Sequence, residues 1–121
     1  MSGEGRELAP DALERLAEWG GDELVSKMVE LFLQVTPDRV QAIRSGLRDE
    51  DMKKVERGAH SLRSSAGNLG AKRVQELAGR IEELASLGNR EGLAPLVGEL
   101  ETHFRATVQE LEAVLAERRS S

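Results

Sequence analysis

The sequence predicts an all-α fold, an antiparallel up-and-down four-helix bundle with a short N-terminal helix lying as a lid over one end. Three observations carry that expectation. Leu, Ala, Glu, Arg and Val recur at three- and four-residue spacing along the chain, which is the pattern of amphipathic helices. No stretch alternates with the period of two that a half-buried strand requires. The interruptions are short, so consecutive helices must fold back against one another.

The elements follow in order. Residues 1–9 are expected to be disordered, with one domain over 10–118. Pro10 opens a short helix over "PDALERLAEWG", stopped by Gly20 and Gly21, since proline suits a first helical turn and glycine a helix end. Asp22 is a good N-cap for "ELVSKMVELFLQV", with Leu24, Met28, Phe32 and Val35 as its apolar stripe. Thr36-Pro37 could interrupt the pattern, but Val40, Ile43 and Leu47 resume it. A kinked long helix over about 23–48 is therefore expected. A third helix over about 51–67 carries Val55, Ala59, Leu62 and Ala66, and a fourth over about 71–87 carries Val74, Leu77, Ile81 and Leu84. The fifth, about 91–118, carries Leu93, Val97, Leu100, Phe104, Val108, Leu111 and Leu115. Asn68 to Gly70 and Gly88 to Arg90 read as tight turns. Trp19 is expected to anchor the first helix by packing. The acidic run at 49–51 suits a turn and a helix start, where negative charge complements the helix dipole.

Composition narrows the function classes. At 121 residues the chain can bury one modest core. It contains no cysteine, which excludes a disulfide framework and favours a reducing compartment. No apolar run approaches the roughly 20 residues of a membrane span, and "MSGEGRELAP" lacks a signal-peptide core; a cytoplasmic monomer is expected. A net charge of −5 disfavours nucleic acid and acidic membrane as partners. Two Phe, one Trp and no Tyr leave little for base stacking.

The stretch "AHSLRSSAGNLGA", residues 59–71, sets a histidine beside small, poor helix formers. In helical projection His60 lies roughly 140° from the mean of the Val55–Ala66 stripe, so it faces solvent. Arg63, Ser64 and Gly67 continue its ridge, and apart from Arg63 they leave the imidazole clear. Glycine within a helix costs about 1 kcal/mol relative to alanine, so Gly67 is an odd choice for stability. A neutral imidazole nitrogen can accept a phosphoryl group near pH 7, and Arg63 can share the added charge. Projection alone leaves open that His60 is merely solvated and that the Ser/Gly cluster marks a fraying helix end.

"AHSLRSSAGNLGA" closely resembles the signature of the histidine-containing phosphotransfer (HPt) domains of bacterial multistep phosphorelays, His-x-Leu-Lys-Gly followed by small residues and an Asn-Leu-Gly-Ala-like exit. "FLQVTPDRVQAIRSGL" upstream and "LGAKRVQELAGRIEEL" downstream resemble the flanking helices of that family, so the likeness spans about residues 24–87. The resemblance makes His60 the phosphoacceptor and Leu62 the core residue behind it. Arg63 takes the position of the usual lysine, and Gly67 and Gly70 those of the small residues. Two departures stand out. Arg63 offers a flat fork where lysine is a point charge, and Ser64 adds a hydroxyl where the family has glycine.

Glu82 follows from geometry. If Gly67 and Ala71 flank the turn at one height, residue 60 lies level with 78, and the lean of helical side chains toward their own N-termini brings a residue slightly beyond 78 to the histidine. Glu82, in "RIEEL", which resembles the family's Leu-Glu motif, can accept from Nδ1 and leave Nε2 as the nucleophile; the alternative is a solvated helix residue. His103 projects to the flank of the last stripe with no motif around it, and the two histidines make no metal site for want of a third ligand.

The function implied is that of a phosphocarrier rather than an independent catalyst, taking a phosphoryl group on His60 from a receiver-domain aspartate and passing it to another receiver. The partners implied are response-regulator receiver domains and a hybrid sensor histidine kinase. No cofactor is expected on this chain; Mg2+ is expected on the receiver. Two alternatives stand: a phosphorylation-independent helical adaptor for a receiver or kinase, and a kinase-linked phosphoacceptor domain charged from ATP.

Overall fold

A computed structural model describes residues 6–120, with side chains to Arg118. It contains four helices: α1 (Ala12–Arg48), α2 (Met52–Leu69), α3 (Lys72–Ser86) and α4 (Leu93–Ser120). Connections at 49–51, 70–71 and 87–92 are too short for anything but reversal. Each helix packs against its neighbours in the chain, and α4 closes the ring on α1, so the architecture is the antiparallel bundle expected. Among the described residues there is no strand; the only bridge pairs Leu8 with Ala71.

α1 contains both the short first helix and the long second one of the sequence reading. It is broken at Gly20 (φ −144°, ψ 15°) and Gly21 (φ 70°, ψ −169°), the latter a left-handed conformation natural to glycine. Backbone angles stay helical at Pro37, where the Thr36 hydroxyl donates to the Phe32 carbonyl. Asp22 reaches across to Arg118 of α4. Asp51 caps α2, its carboxylate accepting from the Lys54 amide at 3.1 Å. Gly70 ends α2 at φ 73°, its amide bonded back into the last turn. A Cβ there would lie 2.4 Å from the Cβ of Ala12, so the arm before the glycine break sits directly on the α2–α3 turn, like a lid.

Of the nine residues expected to precede the domain, 1–5 lie outside the described residues, while Glu7 to Ala9 dock on the bundle. The amides of Glu7 and Leu8 donate to the Glu110 carboxylate, and Ala9 donates to the Gly70 carbonyl at 2.8 Å. Glu7 is buried, both carboxylate oxygens lying 3.0–3.1 Å from Nδ1 of His103. His103 is thereby a structural partner of the N-terminal segment.

The α2 stripe is fully buried as expected, with Val55, Ala59, Leu62 and Ala66 all at 0% exposure. Val74, Leu77 and Ile81 of α3 and six of the seven stripe residues of α4 join them; Leu84 and Val108 are partly buried at the margin. The two phenylalanines, Phe32 and Phe104, meet with ring centroids 6.2 Å apart.

Two expectations are corrected. In α1 the buried residues are Val25, Val29, Phe32, Thr36, Ile43 and Gly46, while Leu24, Met28 and Val35 are only partly covered. Residues 24–35 are apolar on more than one side, so two stripes fit the helical period, and the one facing α2 and α4 is buried. Trp19 is 87% exposed. The arm packs through Leu13, Leu16 and Ala17, and Trp19 falls roughly 110° from that face by helical projection.

Candidate functional site

The site is built on the α2–α3 hairpin. His60 stands on the outer face of α2, its side chain 60% exposed, and Glu82 comes to it from α3 with its own side chain 19% exposed. Nδ1 of His60 lies 2.7 Å from Oε2 of Glu82. An ionised carboxylate only accepts, so Nδ1–H donates, and Nε2 carries the lone pair. With Nδ1 committed and most of the ring in solvent, Nε2 is the nitrogen open to an incoming group.

Arg63, one turn after His60, sets Nη1 3.2 Å from the other oxygen, Oε1 of Glu82. That is ion-pair range. Oε1 is nevertheless buried and, among the described residues, receives no aligned hydrogen bond, so Arg63 compensates its desolvation by charge rather than by a directed bond. One carboxylate thus holds the imidazole with its outer oxygen and faces a guanidinium with its inner one.

Ser64 is exposed on the same face. Gly67 is exposed as well, but a Cβ there would lie 2.9 Å from Nε2 of Gln75. The Gln75 amide from α3 therefore already covers part of the space that sequence reading left empty. Leu62 is buried behind the histidine and Gly70 closes the helix. His60, Arg63, Ser64, Gly67 and Glu82 share the outer face of the hairpin, and His60, Glu82 and Arg63 are in contact.

Apolar side chains from the first two helices are expected beside this face, but the sequence alone does not say which residues form it. Met28, Leu31, Phe32 and Val35 of α1, with Ser65, Asn68 and Leu69 of α2, line a groove of about 120 Å3, and Leu31 is 55% exposed. Its signal was the surplus of apolar residues in 24–35. A second groove of about 330 Å3 runs between the arm, at Arg15 and Trp19, and Gly67, Asn68 and Gln75. Asn68 borders both. Beside them, Arg39 Nε donates to Ser61 Oγ at 3.0 Å.

Residues 27–117 match the Hpt domain family. The chain belongs to that family. It is 24% identical over 103 residues to histidine-containing phosphotransfer protein 5 of Arabidopsis thaliana, covering 83% of this chain and 66% of that one. It is 24% identical over 104 residues to the aerobic respiration control sensor protein ArcB of Escherichia coli (strain K12), covering 86% of this chain. The chain spans just under two thirds of the plant relative and 13% of ArcB. In fold it is similar to histidine-containing phosphotransfer protein B of Pseudomonas aeruginosa PAO1, with a TM-score of 0.84 at 22% identity, covering 95% of this chain and 96% of that one. The HPT domain of a Shewanella sensor hybrid histidine kinase gives 0.80 at 22% identity, covering 92% and 95%. No helix among the described residues is long and apolar enough to cross a membrane.

Proposed function

We propose that this Hpt domain carries phosphoryl groups between receiver domains, with His60 as the phosphoacceptor. The observation that supports this most directly is the pairing of a 60% exposed imidazole with a carboxylate 2.7 Å from Nδ1. In the forward step the Nε2 lone pair attacks the phosphorus of an aspartyl phosphate; the P–O bond to the aspartate breaks, and the carboxylate leaves with its electron pair. Nδ1–H stays bonded to Glu82, which offsets the positive charge that develops on the ring. The return step reverses each movement, with His60 as leaving group. The receiver supplies the aspartate and the Mg2+ that stabilises the transferring oxygens.

Docking follows from the same face. The apolar groove of Met28, Leu31 and Val35 gives a receiver something to bury, and Ser64 admits it close to the imidazole. Glu82 and Arg63 act at the edge facing α3.

The test is incubation with a panel of phosphorylated receiver domains, followed by detection of acid-labile phosphate. His60→Gln should retain helix content, since the side chain is exposed, and accept nothing. Undiminished labelling of that variant overturns the assignment, and charging by an ATP-dependent kinase in the absence of any receiver would replace the donor.

A further inference from the structure

Gly79 lies in the middle of α3, a helix of 15 residues, where glycine costs about 1 kcal/mol relative to alanine. Neither of the usual reasons for glycine applies. Among the described glycines the positive φ values belong to Gly21, Gly70 and Gly88 and not to Gly79, so no turn demands it. Nor does another helix backbone press against it: the atoms that a Cβ at 79 would meet are Cδ of Arg63 at 3.3 Å and Nη1 of Arg63 at 3.9 Å. The space left by the missing side chain is occupied by the arginine stem from α2.

That stem leads to Glu82. Residues 79 and 82 are neighbours on one helix face, and Arg63, crossing α3 at 79, ends with Nη1 3.2 Å from Oε1 of Glu82. We propose that Gly79 is a positioning residue, the bed that lets an arginine at 63 lie flat on α3 and pin the inner oxygen of Glu82, so that the outer oxygen stays turned to Nδ1 of His60. Oε1 is buried without an aligned hydrogen bond. Removing the guanidinium leaves it desolvated beside no compensating charge, a state that costs enough to rotate a carboxylate toward water. The imidazole then loses its holder. A longer, planar head needs more room along its path than an ammonium does, which ties glycine at 79 to arginine at 63.

The consequence for transfer rests on His60 being the phosphoacceptor; the consequence for the imidazole does not. The experiment therefore reads both, in wild type, Gly79→Ala, Gly79→Val, Arg63→Ala and Gly79→Val/Arg63→Ala. Nitrogen NMR at mildly alkaline pH gives the fraction of neutral His60 protonated on Nδ1. Single-turnover transfer from a phosphorylated receiver gives the rate, and circular dichroism checks helix content. Gly79→Val should lower the Nδ1–H fraction and slow transfer about three- to tenfold, the scale of one hydrogen bond. Gly79→Ala should act in the same direction more weakly while raising helix stability, a change that a purely structural glycine would not couple to a loss of rate. Since Gly79 works only through Arg63, the double variant should be no worse than Arg63→Ala alone. Multiplying effects in the double variant, or wild-type values of both readouts in Gly79→Val, overturn the proposal. If the wild type accepts no phosphate from any receiver, the phosphocarrier reading falls and the tautomer measurement decides the role of Gly79 by itself.

Discussion

Replacing Glu82 by alanine should slow phosphotransfer about tenfold without unfolding the protein. The magnitude comes from the site. The Nδ1–Oε2 contact of 2.7 Å has the length of a charge-assisted hydrogen bond, and such bonds contribute about 1.5–3 kcal/mol. The 60% exposure of the histidine side chain lets water replace part of that interaction, which puts the loss near the lower bound, and about 1.4 kcal/mol corresponds to a factor of ten in rate. Glu82→Gln should lose less. Its carbonyl oxygen can still accept from Nδ1–H, but it brings no charge to offset the imidazolium-like ring. Stability should change by less than about 1 kcal/mol, because the ion pair that is lost has Arg63 44% exposed. The assay is single-turnover transfer from a phosphorylated receiver, with urea denaturation of the same samples. A Glu82→Ala protein that transfers at the wild-type rate, or a glutamine variant slower than the alanine variant, refutes the assignment of Glu82 as holder of the imidazole.

Gly67→Trp should abolish productive docking at unchanged helix content, because even a Cβ at 67 intrudes on Gln75; receiver binding and circular dichroism check it. Leu31→Asp should weaken receiver binding about tenfold while shifting stability by no more than about 0.5 kcal/mol, since surface substitutions rarely do more and Leu31 is 55% exposed; titration calorimetry against denaturant unfolding separates the two. Arg44 of α1 bonds Glu101 of α4 through Nε at 2.9 Å, and its guanidinium holds the Glu101 carboxyl below the usual carboxylate range. A lowered folded-state value stabilises above the unfolded-state value of about 4.3 and is lost as pH falls through the folded-state value. Glu101→Gln should therefore cost up to about 1 kcal/mol at pH 7, and the difference from wild type should close in acid, as pH-dependent unfolding curves would show.

The parts of the site that one helix carries were legible in the sequence. His60, Leu62, Arg63, Ser64 and Gly67 have relative directions fixed by helical geometry, and a two-residue turn extends that geometry to Glu82 by simple levelling. What depended on packing was not legible. In α1, Leu24, Val25, Met28, Val29, Leu31 and Phe32 supply more apolar surface than one core stripe needs, and only the neighbouring helices decide that Val25 and Val29 go inward while Leu31 faces solvent. Trp19 was misjudged because aromatic side chains usually bury, whereas the arm's small contact through Leu13, Leu16 and Ala17 has no room for it. Gln75 over Gly67, Glu7 against His103 and the path of Arg63 over Gly79 join residues from different elements with no periodic signature.

The ring of neighbour contacts, α1 to α2 to α3 to α4 and back to α1, also bears on how quickly the chain finds this fold. Most of its packing joins elements adjacent in sequence, and His60 and Glu82 are separated by only 22 residues. Closing so short a span carries little entropic cost, and helical proteins dominated by such local contacts fold in microseconds to milliseconds. The hairpin that carries the imidazole and its carboxylate therefore needs no distant segment to bring its two halves together. Docking of α4 on α1, which together with the contacts of Glu7 and Leu8 on α4 joins the chain's two ends, is the entropically dearest closure, and it lies on the side of the ring away from the α2–α3 pair.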